Sequence, residues 1–385
     1  MTGLALEGVR VIDLTAYLSG PYCSMILADH GADVIKIERP QDGDEARRMP
    51  PFINGESAPF MLWNRNKRSV ALDLKDGRDR ALCLELVREA DVFIENFKPG
   101  VADRLSLGYD ALAALNPRLI YCSISGFGQT GPYRARGGFD LMVQAMSGIM
   151  SVNGPEDGPP HRVPMAIADI GAGMFAAIGI LAALQARTRT GRGQQVDTAL
   201  YDAALSFGLY EAAHFFATGE NPPRLGQAHR ASAPYQVFRT SDGWVTIGAN
   251  TQALWAKFCE VIGKGELVGD ARFRDNAGRV ANRPALAALV QDALAAGTTR
   301  EWMARFEAAE IPAGPVQTYD QVFADPQVQA RSMAAEIEHP SAGKTRTLGI
   351  PVKLSDTPGA LRRPAPKLGE HTEEVLSDLR RRRRK

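Results

Sequence analysis

Asp169 has the most reactive setting in the chain, within Pro164-Met-Ala-Ile-Ala-Asp-Ile-Gly-Ala-Gly173. The small and apolar neighbours predict a helix with this carboxylate in its first turn or two. A carboxylate at an apolar position is costly unless it is paired or used. A helix N-terminus offsets part of that cost and keeps the group ionised. An ionised, partly desolvated carboxylate can attack an activated carbonyl; the competing role is a structural cap. Gly171 and Gly173 are read as room for a ligand near the backbone. The second signal is a set of basic residues at the ends of predicted strands or in the turns after them: Arg39, Lys75, Lys98, Arg104, Arg134 and Arg136. Each alone reads as surface charge. Together they outline a rim suited to an anion carrying several phosphates, held by charge-assisted hydrogen bonds.

Other chemistries find little support. The six histidines are scattered and form no Ser-His-Asp pattern, and the four cysteines (Cys23, Cys83, Cys122, Cys259) lie far apart without CxxC, so no metal site is expected. Each cysteine sits among apolar residues and reads as a small buried hydrophobe. Reduced thiols and the lack of signal-peptide anatomy at the N-terminus point to the cytoplasm. Forty-five basic against forty-four acidic residues give a net charge of +1, which argues against a nucleic-acid partner. Met165 to Leu184 is about long enough to cross a bilayer, but its Asp169 and its Ala and Gly content favour a buried helix, so no membrane partner is expected. Arg380 to Lys385 reads as a solvated, disordered tail.

The elements that position these residues follow from periodicity. Short apolar runs at Val9–Leu14, Asp33–Ile37, Val70–Leu74, Asp91–Phe97 and Leu119–Ile124 alternate with helical stretches. That alternation predicts an α/β fold with a parallel sheet, whose ligands sit beyond the carboxyl ends of the strands. Glu38 stands where a ribose-binding acid would, yet only one glycine follows Leu14 where a dinucleotide fingerprint needs three. A Gly- and Pro-rich stretch near 219–234 marks a domain boundary. Beyond it a hairpin over 235–248 and helices near 251–263 and 283–309 predict a smaller α+β domain. Past Val322 the chain is expected to be loop-rich and to return to the first domain. The expected division is 1–220, 221–325 and 326–385.

The chain resembles the class III CoA-transferases, a superfamily that includes formyl-CoA transferase, carnitine CoA-transferase and α-methylacyl-CoA racemase. The segments that carry the likeness run in family order: Val11-Ile-Asp-Leu-Thr with Gly20-Pro21, Gly31 to Pro40, Asn64 to Lys75, Asp91 to Gly100, Gly126 to Tyr133, the Asp169 segment, Thr190 to Gln194 and Ile311 to Val316. The resemblance implies a Rossmann-like large domain built from both chain ends, a small second domain and an interlocked homodimer. It implies Asp169 as the catalytic residue, acylated by a donor acyl-CoA and then carrying CoA as a thioester. Coenzyme A enters as substrate, with no tightly bound cofactor. Matching CoA-binding positions are Leu18, Ser19, Arg39, Leu72, Lys75, Asn96, Phe97, Lys98 and Arg104, with Arg136 beside the closest match to another basic position. Tyr17, Phe139 and Asp140 match the substrate pocket.

Two departures bear on the substrate. Leu18 replaces a glutamine of the formyl-CoA enzyme, and that enzyme's tetraglycine loop has no counterpart, which speaks against oxalate and formyl-CoA. The expected pair is succinyl-CoA or a similar donor with a small carboxylic or dicarboxylic acid. Arg47, Arg48 and Arg65 are candidates for an acceptor's second carboxylate, or are surface charges. The racemase branch uses a histidine in Gly-His-Asp, where this chain has Gly138-Phe-Asp140. Racemisation is therefore the rival activity, and a non-catalytic acyl-CoA-binding homologue the rival from another class.

Overall fold

The computed structural model describes residues 3–382. Its centre is a six-stranded parallel sheet of β1 (Arg10–Asp13), β2 (Asp33–Glu38), β3 (Lys67–Ala71), β4 (Val92–Glu95), β5 (Ile120–Ser125) and β6 (Gln195–Ala199). The strands lie in the order β3-β2-β1-β4-β5-β6. Connections leave β1 and β4 toward opposite edges, so a crevice opens between their carboxyl ends.

Helices cover both faces, which is why the central strands read as near-continuous buried runs. On one face lie α1 (Ser19–Asp29), α6 (Ile167–Thr190) and α7 (Leu200–Ser206), whose Leu27, Ala172, Ala176, Ile180 and Ala203 pack on Val11, Val34 and Ile94. On the other lie α2 (Gly77–Arg88) and α4 (Tyr109–Leu115), which follows the single turn α3 (Val101–Arg104). Val375, Leu376 and Leu379 of the C-terminal helix Thr372–Arg382 join that second core, so both chain ends build this sheet's cover. Arg380, Arg381 and Arg382 close that helix, where the sequence reading expected a disordered tail; residues 383–385 lie outside the described residues. α5 (Asp140–Met146) precedes α6, and α8 (Leu209–Thr218) follows α7.

The chain divides into two compact units. One holds residues up to Met150, Arg162–Ala217 and those from Pro326; the other holds Ser151–His161 and Thr218–Asp325. The loop 151–161 thus groups with the second unit, not with the first 220 residues as expected. The second unit carries a three-stranded antiparallel sheet, Tyr235–Arg239, Trp244–Gly248 and Ala313–Pro315. Helices Gln252–Val261, Arg283–Leu294 and Thr299–Ala308 pack on it around Trp255, Phe258 and Phe306. The return segment is more ordered than its prolines imply. It forms the hairpin Ala334–His339 with Gly343–Leu348, whose charged outward residues hid its strand period.

Candidate active site

Asp169 lies in the first turn of α6, half-buried. The helix starts after Ala166, whose side chain has no acceptor for the first amides. Asp140 supplies one from another helix: its Oδ1 accepts the Ala168 N–H at 2.9 Å. Its Oδ2 accepts from Gln144 Nε2 at 2.7 Å, and the buried Gln144 clamps Val163 by accepting its N–H at 2.8 Å and donating to its carbonyl at 3.2 Å. The α5 helix therefore sets the lead-in to α6.

Gly173 brings α6 against α1. A Cβ there would stand 2.6 Å from the Ser19 carbonyl oxygen, and one on Gly171 would stand 2.6 Å from the Phe207 ring. Both glycines make room for protein, not for a ligand as the sequence suggested. The close approach puts the Ser19 hydroxyl beside the Asp169 carboxylate, where it favours the ionised form. Burial first, then the neighbouring Asp140 charge, push the Asp169 carboxyl up to about 6, while Ser19 opposes the rise. The helix N-terminus does not hold this group in the ordinary range; it is ionised at neutral pH and becomes protonated in mild acid.

At the switch point between β1 and β4 lies a cavity of about 400 Å³. Leu14, Ile37, Leu72, Val101 and Leu105 give it an apolar wall, and Tyr17, Asn96, Phe97, Arg39 and Lys75 line it as well. Six of the sequence-predicted residues (Tyr17, Arg39, Leu72, Lys75, Asn96 and Phe97) thus meet here. Arg39 is bonded to Asp42 at 2.9 Å and Glu45 at 2.7 Å, so it must exchange acids to take a phosphate. Tyr17 sits in the left-handed region at φ 64°, its N–H donating to Asp44 Oδ1 at 3.0 Å. Its ring stands edge-on to the exposed Phe139, with centroids 6.3 Å apart.

The other predicted residues lie apart from the cavity wall. Leu18 and Ser19 begin α1, with Ser19 turned to Asp169. Lys98, exposed, lines a second and polar cavity with Glu95. Arg104 is exposed at the end of α3, and Arg136 lies over the Tyr133 ring at 4.0 Å. Among the described residues no three His, Cys, Asp or Glu side chains converge on a metal position.

The family model for CoA-transferase family III matches residues 6–372. The chain belongs to CoA-transferase family III. It is 40% identical to succinyl-CoA:glutarate CoA-transferase of Mus musculus, over 97% of this chain and 86% of that protein. It is 43% identical to acetyl-CoA:oxalate CoA-transferase of Acetobacter aceti, over 94% of this chain and 93% of that protein. The crystal structure of a CaiB/BaiF family protein from Brucella suis matches with a TM-score of 0.88 at 41% identity, covering 98% of this chain and 100% of that one. The protein is thus an enzyme of the CoA-transferase type.

What the residues alone did not reveal in this family III chain is the buried charge beneath the β1–α1 loop. Asp13, Lys36, Asp44 and Lys67 are all withdrawn from water. Lys36 Nζ pairs with Asp44 at 2.8 Å and donates to the Thr15 carbonyl at 2.6 Å. Lys67 Nζ reaches Asp13 at 3.2 Å, the Pro21 carbonyl at 2.9 Å and Asn64 at 2.8 Å. Together they fix the loop from Thr15 to Pro21 that carries Tyr17 and Ser19. The available signal was Lys36 inside the predicted strand Asp33–Ile37, where a buried charge must be paired; Lys67 lay before the predicted run and gave none. Glu38 is no ribose ligand, because its oxygens take Arg47 at 2.7 Å and Ser69 at 2.6 Å. Arg65 is neither surface charge nor acceptor site; it grips Asp29 at 2.7 Å in the interior.

Proposed function

We propose that this transferase moves CoA from succinyl-CoA, or a similar small acyl-CoA, to a small carboxylic or dicarboxylic acid, with Asp169 as the covalent carrier. The observation that carries the reading is the Asp169 carboxylate itself. It is half-buried, has the Ser19 hydroxyl beside it and is raised to about 6, so it is ionised at neutral pH and weakly enough solvated to attack a thioester. Attack on the donor thioester carbonyl gives an aspartyl–acyl anhydride and a CoA thiolate. The thiolate attacks the aspartyl carbonyl, forming an aspartyl-CoA thioester and releasing the donor acid. The acceptor carboxylate then displaces CoA as a second anhydride forms, and the thiolate attacks the acceptor's acyl carbon, freeing Asp169. Each step exchanges one activated acyl bond for another, so the thioester's activation is conserved.

The cavity lined by Leu72, Lys75, Asn96 and Phe97 is read as the coenzyme pocket, its apolar wall taking the adenine and pantetheine and its rim the phosphates. Lys98, Arg104 and Arg136, exposed beyond the wall, are assigned to the phosphates' periphery. Tyr17, Phe139 and Asp140 are assigned to the acyl site. The relatives' names, with succinyl or acetyl donors and glutarate or oxalate acceptors, support small acids and keep oxalate among the acceptors to test. Phe139 carries no proton to pair with Asp169 across an α-carbon, which disfavours racemisation. Met174, Phe175, Ile178 and Leu181 on α6, and Leu209, Tyr210 and Phe216 on α8, are large apolar side chains left exposed, which supports a homodimer. Four free, buried cysteines fit a reducing cytoplasm.

A screen of acyl-CoA donors against carboxylic acid acceptors, with Asp169→Ala as control, tests the reading. Transfer to a small acid by the wild type alone is expected; equal transfer by the variant would remove it. Solvent deuterium entering an acyl-CoA without CoA transfer would favour racemisation.

A further inference from the structure

Glu95 ends β4 and is 4% exposed, one residue before the turn whose Asn96 and Phe97 line the 400 Å³ cavity. Its side chain does not join that wall. It folds back, and its Oε2 accepts the Phe97 N–H at 2.8 Å. From β5, Ser123 and Tyr121 face the same carboxylate, and the Ser123 hydroxyl favours its ionised form. Asn96 meanwhile holds the β1–α1 loop with both ends of its amide, accepting the Ala16 N–H at 2.9 Å and donating to the Ala16 carbonyl at 2.7 Å. Glu95 thus holds the turn, and the turn holds the β1–α1 loop from which Ser19 enters α1.

We propose that Glu95 is a positioning residue for acyl-CoA binding, its carboxylate holding the Asn96–Phe97 turn from the side away from the coenzyme. The inference rests on reading the 400 Å³ cavity as the coenzyme pocket. An ionised carboxylate accepts the Phe97 amide in a charge-assisted bond that the protonated acid matches poorly. Water reaches Glu95 from the opposite side, through a polar cavity of about 190 Å³. Among the described residues, charged or titratable groups face it from the elements packed around it: Lys98 from the turn, Asp103 from α3, Tyr109 and Asp110 from α4, Tyr121 and Cys122 from β5 and Asp197 from β6. Burial, then the Asp103 and Asp197 charges, raise the carboxyl to about 7 against the pull of Ser123 and the Phe97 amide. Coenzyme affinity is therefore tuned by protons near neutrality, separately from the chemistry at Asp169.

The test is KM for the acyl-CoA donor and kcat between pH 5.5 and 8.5, in the full-length enzyme. For the wild type, KM is expected to rise about tenfold as pH falls through 7, the scale of one hydrogen bond to a charged group. Glu95→Gln should show the raised KM at every pH, with kcat at saturation little changed. Ser123→Ala, which removes a hydroxyl that favours the ion, should move the break to higher pH. Asp103→Asn, which removes a repelling charge, should move it to lower pH. A Glu95→Gln enzyme with the wild-type KM profile would overturn the proposal, as would breaks that stay in place in both other variants. Phe97→Ala separates the two readings. Weakened binding in Phe97→Ala with none in Glu95→Gln refutes the role of Glu95 alone; unchanged binding in Phe97→Ala refutes the pocket as well.

Discussion

The Asp140 carboxylate caps the helix that carries Asp169, accepting the Ala168 amide at 2.9 Å, and its charge also helps to raise the Asp169 carboxyl. One residue thus helps to set both the place and, after burial, the proton affinity of the proposed nucleophile. Asp140→Asn keeps an acceptor and removes the charge, so the acid limb of the kcat/KM profile should move to lower pH. Asp140→Ala removes the cap as well and should cost about 1–2 kcal/mol in urea unfolding.

Asp169 itself should weigh against stability. Its folded carboxyl, pushed up to about 6, binds a proton more readily than in the unfolded chain. Its contribution is therefore most favourable in acid and is lost as pH rises from about 4 through 6. Asp169→Asn does not titrate. It should melt about 2–4 °C above the wild type at pH 8, the shift given by roughly 1 kcal/mol in a domain of this size, and the gain should vanish by pH 4. Calorimetry across that range checks it, while the same variant should be inactive.

Gly173 sets the spacing of α1 and α6. Because a Cβ there would stand 2.6 Å from the Ser19 carbonyl, a backbone atom, Gly173→Ala must push the helices apart. The expected cost is about 1–3 kcal/mol. A fall in kcat at saturating donor should accompany it, since Ser19 leaves Asp169.

The Lys67–Asp13 pair offers a test of the scaffold below the site. Lys67→Met leaves Asp13 buried without its cation and should cost about 3–5 kcal/mol. Adding Asp13→Asn should restore part of that loss. A double variant no better than the single one would show that the pair is not the term that matters.

Legibility in the sequence tracked the locality of each cause. β1, β2, β4 and β5 are short, mostly apolar runs, and Asp169 stands out because its neighbours are apolar. β3 begins three residues before the predicted run, since Lys67, Arg68 and Ser69 look like surface and are buried by partners distant in sequence. The Asp140 cap is hidden for the same reason: acceptor and amide are 28 residues apart and sit on different helices. Arg47 and Arg65 were misread because the acids that occupy them lie on β2 and α1. A sequence shows a charge readily, but only the fold shows its counter-charge.

Asp169 is the proposed covalent carrier of CoA. The most direct measurement is mass spectrometry of the Asp169 peptide after the enzyme meets donor acyl-CoA without acceptor, with and without hydroxylamine. A CoA thioester on Asp169 that hydroxylamine converts to the hydroxamate, absent from Asp169→Asn, is the expected result. An active enzyme with no adduct at Asp169, or Asp169→Asn transferring CoA at the wild-type rate, would contradict it.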